Sequence, residues 1–106
     1  DQEEFHWRML DQVMVKGKND PVKIFEVLDP NSDPAFESKM KVAEMFENSR
    51  EFYIQQDWNP AIEGFQECLN LLPEDAALEM HLDRARSFAT SNPPENWDGV
   101  HQYLEK

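Results

Sequence analysis

The strongest constraint on the fold lies in residues 8–28, where two runs rich in Val, Ile, Met and Phe flank Lys16-Gly17-Lys18-Asn19-Asp20-Pro21, a cluster of turn formers. This spacing predicts a β-hairpin. Gly17 can take a positive φ, and Pro21 can open the returning strand. Alternation places Leu10, Gln12 and Met14 on one face of the first strand and Asp11, Val13 and Val15 on the other. In the second strand Val22, Ile24, Glu26 and Leu28 alternate with Lys23, Phe25 and Val27. Both faces are partly apolar, and a lone hairpin is only marginally stable in water. The remaining chain must therefore cover it, or a partner must.

The pattern Arg8-x-Leu10-Asp11-x-Val13-x-Val15-Lys16-Gly17-Lys18-x-x-Pro21-Val22-x-Ile24-Phe25-Glu26-Val27 resembles the last two strands of the class III nucleotidyl cyclase catalytic domain. That family forms cyclic AMP or cyclic GMP. The resemblance covers about the first 28 residues and makes the chain an expected piece of a longer protein. It implies that Lys16 reaches the triphosphate of the substrate, with Lys18 a weaker neighbour. An ammonium there would stabilise charge developing on the leaving group. The plainer alternative is that both lysines keep the hairpin tip solvated and unpaired. The family's metal-binding aspartates, base-selecting residues and helical Asn and Arg precede the matched segment, and none can be located here. Asp11 belongs to the strand pattern and is not read as a metal ligand. A hairpin lysine cannot replace a metal charge clamp, so no turnover is expected from these residues alone, and no cofactor is assigned to them. The longer protein is expected to use Mg or Mn. ATP is the substrate the family favours, with GTP open.

At 106 residues, with a net charge of −12, the chain suits one small domain. It could bury roughly 60–70% of its unfolded surface. Of its 22 acids and 10 bases, seven and four lie in residues 1–30, leaving fifteen and six for residues 31–106. Such acidity repels phosphate backbones and anionic headgroups, so neither nucleic acid nor a membrane surface is expected as a partner. There is no run of about 18 apolar residues and no leader-like N-terminus, so a cytoplasmic location is expected, with a membrane anchor possible elsewhere in a longer protein. Cys68 is the single cysteine, which excludes an internal disulfide and fits a reducing compartment.

Asp29-Pro30-Asn31-Ser32-Asp33-Pro34 reads as a break between the hairpin and a helix, with Asp33 as N-cap and Pro34 in the first turn. Val42, Met45, Phe46, Ser49, Phe52 and Tyr53 then recur at spacings of three and four, predicting a helix from Pro34 to about Gln55. Asn59 and Pro60 predict the start of a second helix, whose buried stripe is Ala61, Ile62, Phe65, Cys68, Leu69 and Leu72; Pro73 stops it. Small Ala61 allows the two helices to approach closely while Phe65 fills the groove between them.

Phe52, Trp58, Ala61, Phe65, Cys68 and Pro73 stand at tetratricopeptide spacing, so residues 42–75 resemble one such repeat. Met45, Asn48 and Ser49 depart from the usual Trp, Leu and Gly of its first helix. Glu74 and Asp75 can cap a third helix over Ala76–Ala89, with Leu78, Leu82, Ala85 and Phe88 or Ala89 inward. One repeat and a cap fall short of the three needed for a long peptide groove.

Pro93 and Pro94 end that helix, Trp97 can lie over the end of the bundle, and Asp98-Gly99 marks a turn before Val100. A Pro-Pro-x-x-Trp-Asp-Gly-Val ending after such a helical hairpin is similar to the tails of certain bacterial adenylate cyclases. His6, His81 and His101 lack the paired spacing of a zinc site and read as surface or packing residues. Phe46, Phe52, Phe65 and Phe88 read as core, and Cys68 as a small buried hydrophobe.

The expected fold is therefore α+β, mainly α. Residues 1–28 form a hairpin from a cyclase catalytic sheet, 29–33 a linker, and 34–106 a tetratricopeptide-like module with a Trp-anchored tail. The expected function is regulatory or scaffolding, with packing positions Phe52, Trp58, Ala61, Phe65, Pro73 and Trp97. The expected partner is the rest of the catalytic domain or its dimer mate. A free-standing adaptor for a partner peptide and a chain that supplies the missing hairpin to a separate catalytic fragment are the alternatives. Open strand edges make a strand-exchanged homodimer a further expectation.

Overall fold

The computed structural model describes residues 6–15, 17 and 19–103, and main-chain pairing alone for 101–103. It is an α+β domain in which a hairpin is followed by three helices and a short returning strand. Strands β1 (His6–Val15) and β2 (Val22–Leu28) pair antiparallel, from His6 opposite Leu28 to Val13 opposite Val22. Gly17 sits in the turn at φ +87°. The register shifts between Met9 and Asp11, so Leu10 is the extra residue of a β-bulge that interrupts the simple alternation expected for β1.

Helices α1 (Phe36–Ile54), α2 (Trp58–Leu71) and α3 (Ala76–Ser91) pack in sequence order, α1 on α2 and α2 on α3. The start of α1 differs by two residues from the sequence reading. Asp33 forms a turn ahead of the helix, its carboxylate accepting from Ala35 N–H and its carbonyl from Phe36 N–H. Trp58, not Pro60, opens α2, because Ala61 N–H already bonds to the Asp57 carbonyl. Pro60 thus falls in the first turn, where a missing N–H has no partner to lose. Asp75 caps α3 by accepting from Leu78 N–H at 3.1 Å.

The core is supplied by Val42, Phe46 and Tyr53 of α1, Ala61, Phe65 and Cys68 of α2, and Leu78, Leu82 and Ala85 of α3, joined by Met9 of β1. Fully burying a side chain such as Phe65 contributes about 1.5–3 kcal/mol. Phe52, expected in this stripe, is 40% exposed. The stripe Val42–Phe46–Ser49–Tyr53 advances by four, three and four residues, and Phe52 falls one helical step to its side. The close approach of α1 and α2 depends on Gly64 as well as Ala61: a Cβ at Gly64 would lie 1.9 Å from Ser49 Oγ.

Residues 101–103 form β3 (His101–Tyr103), a strand the sequence reading did not foresee. It pairs parallel with β1, Val13 opposite His101 and Val15 opposite Tyr103, giving the order β2-β1-β3. The chain thus supplies part of the cover that the hairpin needs. No helix among the described residues is long and apolar enough to cross a membrane.

Candidate functional site at the junction of hairpin and helices

The chemically distinctive residues lie where β1 meets the helices. Asp11, at the bulge, is 2% exposed. Arg84 of α3 grips it with two parallel hydrogen bonds, Nη1 to Oδ1 and Nη2 to Oδ2, each 3.0 Å. Burial would raise the Asp11 carboxyl, but the Arg84 hydrogen bonds and charge, helped by His81 and the Gln12 N–H, hold it below the ordinary carboxylate range. The pair works as a bidentate lock between strand and helix.

His81 lies against this pair, its Nε2 3.6 Å from Asp11 Oδ1. Burial dominates its chemistry and pushes its pKa down to about 4, against the favourable pull of the Ala77 carbonyl and Asp11. Neutral His81 fits the geometry: Nδ1–H donates to the Ala77 carbonyl at 3.0 Å, leaving Nε2 to accept from Arg50 Nε at 3.3 Å. Arg50, also buried, donates its Nη2 to the Gly99 carbonyl at 2.8 Å, and burial lowers its pKa from the usual value. Through Arg50, α1 therefore holds the tail immediately before β3.

A second network binds the other end of β1. Arg8 donates to Glu26, its cross-strand neighbour, at 2.8 Å and to both carboxylate oxygens of Asp75. Asp75 thus caps α3 and anchors β1 together. Lys39 of α1 reaches Glu26 at 2.8 Å and Asp33 at 2.9 Å, and those two hydrogen bonds raise its pKa. Both strands, the linker, α1 and α3 are thereby tied in one chain of charge-assisted bonds.

The tail is fixed by rings. Trp97 packs on Tyr53 at 5.1 Å, on Phe88 at 5.1 Å and on Trp58 at 5.7 Å between centroids. Of the residues singled out from sequence, Trp58 and Trp97 meet in this cluster. Ala61 and Phe65 lie in the core, while Phe52 and Pro73 are exposed. Lys16 lies outside the described residues, although its neighbour Val15 is paired with Tyr103. Asp11, Arg84, Arg50 and Arg8 were not anticipated as a site. The available signal was an aspartate between apolar residues on an inner strand face, which requires a buried partner. Cys68 is buried, and burial pushes its thiol up to about 11, which suits packing rather than nucleophilic chemistry.

Over 82 residues, 77% of its length, the chain is 32% identical to a protein of Dictyostelium discoideum described as "Adenylate cyclase, terminal-differentiation specific". The match covers 4% of that protein, so the relationship is to a small segment of an adenylate cyclase. Any continuous 82-residue stretch of a 106-residue chain includes residues 25–82, so the similarity takes in the end of β2, α1, α2 and the first part of α3. It is not a property of the hairpin alone. No family model matches the chain, and no solved structure matches it.

Proposed function

We propose that this chain is a C-terminal segment of a class III adenylate cyclase, in which a tetratricopeptide-like helical module holds the last hairpin of the catalytic sheet in position. The observation that carries the reading is the buried Asp11–Arg84 lock, seated on the strand that leads to Lys16. The parallel pairing of β3 with Val13–Val15 supports it, since the tail grips the same strand beside the tip.

In this reading Lys16 contacts the substrate triphosphate, and the rest of the catalytic domain supplies the other reacting groups. Mg or Mn would be held by that remainder. Among the described residues no group of three or more metal-ligating side chains comes together, and Asp11 is already engaged by Arg84. The partner is the remaining catalytic domain or its dimer mate, in the cytoplasm. The segment alone is not catalytic. Control requires the module to favour one catalytic arrangement over another, and the lock transmits that preference to the hairpin.

The test is cyclic AMP formation by the longer cyclase with and without residues 34–106, across protein concentrations. A difference that shrinks at high concentration supports control of dimer assembly. Equal activity at every concentration overturns the regulatory reading.

A further inference from the structure

The antiparallel pairing of the hairpin stops short of its tip, with Val13 and Val22 as the last partners across it. Met14 and Val15, the two residues of β1 that lead into the turn, are paired instead with Gln102 and Tyr103 of β3. Among the described residues, the tail therefore supplies the sheet pairing at this end of the arm, and Lys16 follows Val15 directly in the chain. A strand end without a ladder on either side frays. Whatever seats β3 thus also sets the order of the arm that carries Lys16.

The segment Trp97-Asp98-Gly99-Val100 seats that strand. Trp97 is held between the rings of Tyr53, Trp58 and Phe88. Asp98 closes a turn by accepting from the Val100 N–H at 3.1 Å. Gly99 has φ +90° and lies against the end of α1, where a Cβ would stand 2.7 Å from Ile54 Cγ1. Backbone conformation and space both exclude a side chain there. Its carbonyl takes the Arg50 hydrogen bond, and Val100 is buried immediately before β3. The Pro-Pro-x-x-Trp-Asp-Gly-Val ending is in this way a device for returning the chain from the far end of the helices to the edge of β1.

We propose that the tail is a strut that positions Lys16, with Trp97 as the positioning residue that anchors the strut on the helices. This rests on the cyclase reading, in which Lys16 meets the substrate triphosphate. The Asp11–Arg84 pair fixes the middle of β1, and the strut carries the support onward to Val15. Loosening the strut leaves the ammonium present but no longer aimed at the phosphates, and a misplaced charge contributes little to their stabilisation.

The test measures kcat/KM for ATP in the longer cyclase, with the strut loosened at two different points. Trp97→Ala removes its anchor. Gln102→Pro combined with Tyr103→Pro removes a ladder N–H of β3, whichever of the two faces β1, and leaves the ring cluster as it is. Each change should lower kcat/KM by about 10-fold or more, and Trp97→Phe should recover most of the first loss. Both are then repeated with Lys16→Ala. In that background they should cost less than about 2-fold, because the group they misplace is gone. A simple loss of folded enzyme would lower the rate by the same factor in both backgrounds, so equal factors overturn the strut. Full activity of the strut variants beside a damaging Lys16→Ala overturns it as well and leaves the role of Lys16 standing. A Lys16→Ala enzyme with unchanged kcat/KM overturns the assignment of Lys16 itself, and the strut with it.

Discussion

Replacing Arg84 by Met keeps most of the side chain's apolar length and removes the charge that holds Asp11. The carboxylate would remain at 2% exposure with its bidentate partner gone, and neutral His81 cannot replace it. Leaving one member of a buried pair without its partner costs about 3–5 kcal/mol, whereas an exposed pair is worth about 0–1 kcal/mol. The expected loss for Arg84→Met is therefore about 3–5 kcal/mol. For a domain of this size that corresponds to a fall in melting temperature of at least ~12 °C. Urea unfolding at pH 7, followed by tryptophan fluorescence, measures it, because Trp58 and Trp97 lie in the ring cluster that opens on unfolding. Asp11→Leu combined with Arg84→Met should recover most of the loss, since no charge is then left buried alone. A loss below about 1 kcal/mol for Arg84→Met would refute the lock, because it would show the pair behaving as a solvent-exposed one.

Three further outcomes follow from the same geometry. His81 has a folded-state pKa of about 4, below its ordinary 6.5, so the stability it contributes is present above pH 6.5 and is lost as pH falls toward 4; unfolding free energy should drop by roughly 2 kcal/mol from pH 7 to pH 5, and His81→Gln should flatten that slope. Gly64→Ala should destabilise by about 1–3 kcal/mol in thermal unfolding despite alanine's better helix propensity, with Ser49→Ala recovering part of the loss, because the new methyl meets Ser49. Asp75→Ala should cost more than Asp75→Asn in urea unfolding, by about 1 kcal/mol, because asparagine retains the α3 cap while both variants lose the charge facing Arg8.

The elements that were legible in the sequence are those whose signals are local. Gly17 and Pro21 between two β-rich runs announced the hairpin, and the spacing of Val42, Phe46 and Tyr53 announced α1. Proline positions bounded the helices to within a few residues, though hydrogen bonding in the first turn moved the starts of α1 and α2. What was not legible depends on distance along the chain. Asp11 and Arg84 stand 73 positions apart, and nothing near either residue names the other. The bulge at Leu10 falls between the doublets Met9-Leu10 and Asp11-Gln12, which a strict two-residue alternation passes over. β3 is three residues long, and the contacts that hold the tail before it, Trp97 on Tyr53 and Arg50 on the Gly99 carbonyl, join residues more than 40 positions apart. Phe52 illustrates a limit of periodicity: two adjacent aromatics cannot share one narrow helical stripe, and Tyr53 holds the inner position.

The central claim is that the helices control the hairpin through the Asp11–Arg84 lock. It is tested most directly by cyclic AMP formation in the longer cyclase carrying Asp11→Asn, Arg84→Gln or both. The lock predicts that each single variant, which leaves one charge buried without its partner, lowers the rate by about 10-fold or more, and that the neutral pair recovers most of it. Single variants as active as the unaltered enzyme, in a protein whose hairpin is still paired, would contradict it.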